Sequence, residues 1–150
     1  MLKWRATAGL AGGMGLTLLG TAAMAAGPAS FTVVERATTD AVTDLGASGD
    51  SAGDVLTFAN EVFDAADAEK VGSDSGFCVR TIAGKAWECF WTLSLANGQL
   101  TVAGPFLDAG DSTLTITGGT GHYAGAKGEM KLHARDAKGS AYDFTYVLAE

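Results

Sequence analysis

From Phe31 onward the chain alternates apolar and polar residues in short runs, the period-two signature of strands with a buried face. The runs are Phe31–Glu35, Val55–Phe63, Phe77–Ile82, Trp87–Leu95, Leu100–Ala103, Ser112–Thr117, Gly128–Arg135 and Ala141–Leu148. Turn-forming stretches separate them: Gly46–Gly53, Gly72–Gly76, Asn97-Gly98, Gly110-Asp111, Gly118–Gly125 and Lys138-Gly139. Asn97-Gly98 is a strong hairpin signal, because both residues tolerate positive φ. Ala65–Glu69 reads as one helical turn, and no stretch makes an amphipathic helix of useful length. Short, evenly spaced strands of this kind predict an all-β domain, either a closed antiparallel barrel or a sandwich.

The alternation also sorts the faces. Trp87, Cys89, Trp91, Leu93 and Leu95 share one side of their strand, and Tyr142, Phe144, Tyr146 and Leu148 share one side of the last. Met130, Leu132 and Ala134 oppose Glu129, Lys131, His133 and Arg135. The inward aromatic side chains suffice to fill a core, and equally to wall a ligand cavity, since a small barrel does one or the other. Phe77–Ile82 and Lys85–Leu95 read as a hairpin around Ala83-Gly84. A two-residue loop sets Ile82 opposite Lys85 and Cys78 opposite Cys89, where a disulfide can form; a loop one residue longer breaks that register. Cys78 is then a free, buried wall residue.

Composition narrows the class. With 150 residues, 21 glycines and 18% charged against 47% hydrophobic residues, the chain is neither disordered nor collagenous. A formal charge of −7 disfavours a nucleic-acid partner. Residues 1–25 carry Lys3 and Arg5, then an uncharged Gly/Ala/Leu stretch, and end in Ala23-Met24-Ala25. That is the pattern of a cleaved secretory leader, with a weakly apolar membrane anchor as the competing reading. The expected product is one exported, acidic domain over residues 26–150 with no later membrane span. An oxidising compartment permits the Cys78–Cys89 bridge. No CxxC, HExxH or P-loop occurs, and Asp50, Asp54, Asp64, Asp67 and Asp74 are scattered rather than set in a calcium loop. No metal is therefore expected. His122 reads as a loop residue and His133 as part of a solvated face.

The second half carries a more specific pattern. Leu100-Thr101-Val102-Ala103-Gly104-Pro105-Phe106-Leu107 leads into Leu114-Thr115-Ile116-Thr117-Gly118-Gly119-Thr120-Gly121-His122-Tyr123-Ala124-Gly125-Ala126-Lys127-Gly128. Upstream stand Gly53-Asp54-Val55-Leu56-Thr57-Phe58-Ala59-Asn60, then Val71-Gly72 and Gly76-Phe77-Cys78-Val79. In order and approximate spacing this set resembles the allene oxide cyclase family, and its Gly-Gly-Thr-Gly segment is similar to the dirigent proteins. The resemblance runs from Gly53 to Leu148. It implies an eight-stranded antiparallel closed β-barrel with an apolar lumen, a small hydrophobic ligand, no cofactor, and assembly as a homotrimer or homodimer. The implied activity is that of a cyclase or isomerase steering ring closure of a reactive fatty-acid epoxide, polyene or polyketide. A dirigent-like guide or a carrier of hydrophobic metabolites is the non-catalytic alternative.

Residue by residue, the resemblance implies that Glu35 is the first-strand acid that stabilises developing positive charge. Asn60 matches the asparagine that helps hold an ordered water, and Cys78 matches a pocket-wall cysteine. With Phe31, Val33, Phe58, Trp91, Phe144 and Tyr146 as expected pocket walls, these residues make up the candidate site. The family's second asparagine is Ala37 here, and Thr38, Thr39 and Asp40 stand where its Ser-Pro pair is expected. An acid on an apolar face is informative, because buried carboxylates are rare unless paired or functional. The plainer readings are a rim Glu35 paired with Arg36 or Arg80, and an Asn60 that only caps a turn.

Overall fold

A computed structural model describes residues 29–150; the expected leader lies outside them. The strands are β1 (Ser30–Arg36), β2 (Ala41–Thr43), β3 (Val55–Phe63), β4 (Lys70–Ile82), β5 (Ala86–Leu95), β6 (Gly98–Leu107), β7 (Ser112–Gly119), β8 (Gly128–Ala134) and β9 (Ala141–Leu148). A single 3₁₀ turn, Gly121–Tyr123, is the one helical element among the described residues. Neighbours in sequence pair antiparallel from β3 through β9. Closure comes from β1, which pairs with β9 along its length and with β3 at Val34, Glu35 and Arg36. Eight strands thus form a closed barrel, and the short β2 extends the same edge of β3 that β1 uses. Closure leaves few exposed strand edges, the liability of an all-β chain.

The inward residues follow the alternation read from the sequence. Trp87, Cys89, Trp91, Leu93, Leu100, Val102, Leu114, Ile116, Met130, Leu132, Phe144 and Tyr146 form one buried cluster inside the barrel. One half of the lumen is filled by aromatic stacking: Phe31 lies 5.2 Å from Tyr146 and 5.9 Å from Tyr123, centroid to centroid. At the other end Arg80 points inward over the Trp87 ring at 3.9 Å and is held by Asp50 and Asp108, each at 2.6 Å. That arrangement satisfies a cation that would otherwise be stranded in the core.

Three local expectations are corrected. Gly72–Gly76 is not a turn but the interior of β4, where Gly76 pairs with Trp91. A Cβ at Gly76 would run into Trp91 Cβ and the Phe90 carbonyl, so glycine serves close strand approach there. Ala65–Glu69 makes no helical turn. The Asp64 carboxylate accepts from the amides of Ala68 and Glu69, Asp67 adopts φ 58°, and the segment forms a compact turn from β3 to β4. The β4–β5 connection is one residue longer than expected. Lys85 N–H donates to the Ile82 carbonyl at 3.0 Å, and Ile82 faces Ala86. A register shift between Arg80 and Ile82 absorbs the extra residue, so Cys78 still faces Cys89. The two form a disulfide with Cα atoms 4.0 Å apart.

Candidate functional site

The site grows out of a gap in the strand ladder. On the edge of β3, β1 pairs down to Glu61 and β2 pairs up to Thr57, leaving Phe58, Ala59 and Asn60 opposite the Thr38–Asp40 turn. Side chains take over there. Thr39 Oγ1 accepts from Ala59 N–H at 2.8 Å. Asn60 Oδ1 accepts from Thr38 N–H, Thr39 N–H and Thr39 Oγ1 at 3.0, 2.9 and 2.8 Å. The Asn60 amide then points its two hydrogens at carboxylates, Glu35 Oε1 and Asp40 Oδ1, both at 2.8 Å. Three donors on one side and two acceptors on the other fix the orientation of this amide chemically. Every polar position of Asn60 is in use, so it cannot also hold a water in this arrangement. It positions Glu35 and ties down the turn.

Glu35 is 5% exposed and Asn60 1%. Neither arginine near Glu35 in sequence or space pairs with it: Arg36 turns to Asp67, and Arg80 to Asp50 and Asp108. Burial pushes the Glu35 carboxyl to about 7; the Asn60 hydrogen bond opposes this and the Asp40 charge adds to it. A second acid, Asp74 of β4, is 1% exposed and sits opposite Asn60 across the β3–β4 ladder. Its carboxyl is pushed up as well, by burial first and then by the negative charge of Glu35. Asp74 and Asp40 were not singled out as site residues in the sequence. The available signal was parity: Asp74 falls in step with Cys78 on the inward face once Gly72–Gly76 is read as strand.

Below Glu35 lies a cavity of about 30 Å³ walled by Leu56, Phe58, the Cys78–Cys89 disulfide, Trp91, Leu132 and Phe144, with Asp40, Phe106 and Tyr142 at its margin. Trp91 packs against Phe144 at 5.4 Å and meets Phe58 edge-on at 5.9 Å. Of the expected walls, Phe58, Cys78, Trp91 and Phe144 line this space. Phe31, Val33 and Tyr146 do not; they belong to the filled half of the lumen. Phe106, Leu132 and Tyr142 also line a larger outer cleft of about 560 Å³, together with the Asp108–Asp111 and Arg135–Gly139 loops. Phe106 and Tyr142 stand between the two spaces, ring edge against ring face at 5.8 Å. His133 lies on that outer rim, exposed and bonded to Asp111, which raises its proton affinity. No group of three or more His, Cys, Asp or Glu side chains among the described residues is placed to hold a metal.

The fold is thus a closed antiparallel barrel with a buried acid at the head of an aromatic-lined lumen. Residues 32–137 match the allene oxide cyclase family, and the chain belongs to it. Solved structures agree on the architecture. A pyocyanin demethylase superposes with a TM-score of 0.70 at 27% identity, covering 81% of this chain and 100% of its own. AbnU, an exo-specific intermolecular Diels-Alderase, gives 0.66 at 13% identity over 82% of this chain and 98% of its own. The pterocarpan synthase dirigent protein GePTS1 gives 0.62 at 12% over 84% and 86%. These neighbours include enzymes, and the barrel is common to them all.

Proposed function

We propose that the protein is a lumenal cyclase or isomerase, binding a small hydrophobic reactive molecule inside the barrel and steering its ring closure. The observation that carries this is the Glu35 carboxyl, held by Asn60 at 2.8 Å at the head of an apolar cavity with no cation beside it. A fixed carboxylate in a dry site acts strongly on positive charge developing in a bound guest, because little water screens it and it need not reorganise. The walls supply the other half of the catalysis by confining a flexible chain to one conformer. A fatty-acid epoxide, a polyene or a polyketide fits this chemistry. The likeness to a pyocyanin demethylase supports extending the substrate class beyond fatty-acid derivatives.

Incubation with an allene oxide generated in situ, followed by chiral analysis, tests the reading. An enantiomeric excess that Glu35→Gln abolishes is expected; racemic product identical to the spontaneous background would remove allene oxide cyclisation. The alternative is a dirigent-like guide or a carrier of hydrophobic metabolites, which would hold its guest in the same lumen without turnover. Quenching of Trp91 fluorescence by hydrophobic ligands, unchanged in Glu35→Gln and without turnover, would select it. Export after leader cleavage and self-association into a homotrimer or homodimer belong to the same proposal. A disulfide, and the absence among the described residues of a helix long and apolar enough to cross a membrane, are compatible with export.

A further inference from the structure

Asp74 is the buried polar group that the lumenal reading leaves unused. Neither of its oxygens has an aligned hydrogen-bond donor while both carboxyls are ionised, and the Trp91 Nε1 and Tyr146 Oη atoms are likewise buried without a partner. A buried polar atom in this state calls for an explanation. Glu35 supplies one: the Asn60 side chain that holds it at 2.8 Å belongs to the residue directly opposite Asp74 in the β3–β4 ladder, so the two buried carboxyls are neighbours and each acts on the other's proton. Two carboxylates cannot hydrogen-bond to one another unless one carries a proton.

The surroundings decide how many charges the pair holds and where. Facing it are Asp40 from the β1–β2 turn, Asn60 from β3, Trp91 from β5, and Tyr142 and Tyr146 from β9. All are neutral or negative. Among the described residues no lysine, arginine or histidine forms an ion pair with either acid. Two adjacent carboxylates in a dry site without a cation do not both ionise. Glu35 has the Asn60 amide to stabilise a charge, whereas Asp74 has no comparable side-chain donor.

Resting on the lumenal reading, we propose that Glu35 and Asp74 form a one-proton carboxyl pair: Asp74 keeps the proton and donates a hydrogen bond through it to Glu35, which presents the single negative charge to the cavity. Asp74 does not line that cavity and so acts through Glu35, as a positioning residue. A lone buried Glu35 would tend to be neutral. With a donor behind it, Glu35 ionises at lower pH than it would alone.

The test needs no substrate. In the intact protein, carboxyl carbons of ¹³C-labelled aspartate and glutamate are followed by NMR from about pH 5 to about pH 10. One aspartate should stay protonated through neutral pH and vanish from the spectrum of Asp74→Asn. In Glu35→Gln its titration should move down by roughly one pH unit or more, because the neighbouring charge is gone. In Asp74→Asn the amide keeps a donor toward Glu35 and should leave Glu35 ionising at lower pH than in Asp74→Leu. The pair is overturned if no aspartate is protonated at neutral pH, or if Glu35→Gln leaves the titration unmoved. Should the Asp74 variants fail to fold, wild type and Glu35→Gln decide alone. A failed cyclisation assay beside a protonated aspartate removes the activity and keeps the pair; the opposite outcome removes the pair and keeps the lumenal site.

Discussion

A carboxyl that binds its proton more tightly in the folded chain than in the unfolded one stabilises the fold most at low pH. That contribution is lost as pH rises from the unfolded value through the folded one. For Glu35 the window runs from 4.5 to about 7. At about 1.4 kcal/mol per pH unit this amounts to roughly 3 kcal/mol, with little solvent screening to reduce it because the side chain is buried. For a domain of this size that is a fall of roughly 10 °C in Tm between mildly acidic and mildly alkaline buffer from Glu35 alone, and Asp74, pushed up by burial to about 9, adds a loss of the same sign. The direction is opposite to ordinary acid denaturation. Asp54, Asp64 and Asp136 do not mask it. Their carboxylates are held below the usual range, by the Ser51 and Ala68 main-chain amides and by the Ser140 side chain respectively, so they matter only in more acidic solution. His133 titrates on the exposed rim and is controlled with His133→Gln. The assay is thermal unfolding by circular dichroism across the window, with the disulfide intact, for wild type and the double variant Glu35→Gln/Asp74→Asn. The double variant should flatten the decline. A wild-type protein that grows more stable as pH rises, or a double variant with an unchanged slope, refutes the buried-acid argument.

Asn60→Ala should cost roughly 3–5 kcal/mol in urea unfolding, because the Thr38 and Thr39 amides and two carboxylates lose their partner together. A loss below about 1 kcal/mol would show that the turn does not depend on it. Reducing the Cys78–Cys89 bridge, which closes a separation of 11 residues, should lower stability by about 2–3 kcal/mol, read as the difference in urea midpoint with and without reductant. Gly76→Ala should destabilise by about 2 kcal/mol or more and shift the Trp91 emission, since the added methyl collides with Trp91 and the Phe90 carbonyl; an unchanged emission would contradict that contact.

The barrel was legible because its signal is local. Alternation along the runs at Trp87–Leu95 and Ala141–Leu148 sets the inward faces, and the structure places those residues inside. Glu35 was legible for the same reason, as an acid in step with Phe31 and Val33. The Cys78–Cys89 pairing was reached through a loop one residue too short, and it held only because a bulge restored the register. What the residues could not show is where two edges meet. The β1–β2 turn reaches Asn60 only because β3 leaves three residues unpaired between two partners, a fact of barrel closure rather than of any short stretch. Asp40 enters the site by that route. β2 was missed because its three residues are all exposed and carry no alternation of burial. Asp74 was hidden by glycines on either side, which look like a turn until strand packing explains them.

The tightness of the lumen constrains how any guest reaches Glu35. A cavity of about 30 Å³ holds about two water molecules, whereas small-molecule sites commonly offer about 300 Å³ or more. A close-packed interior does not stretch to make up the difference, so side chains must move. The floor cannot easily do so: Cys78 and Cys89 are tied across two strands, and Trp91 is wedged between Phe58 and Phe144. The Phe106–Tyr142 contact is the softer boundary, because both residues are only partly buried and open onto the outer cleft. An edge-to-face pair contributes about 1 kcal/mol beyond its burial, and a guest burying about 100 Å² of apolar surface gains roughly 2.5 kcal/mol. Parting these rings is therefore within reach of a modest hydrophobic ligand. A guest entering this way meets Tyr142 and Phe106 before Phe144 and Trp91, with Glu35 to one side of its path. On the proposed function, width at the aromatic boundary and charge at the acid would then select the guest, and the two can be altered separately.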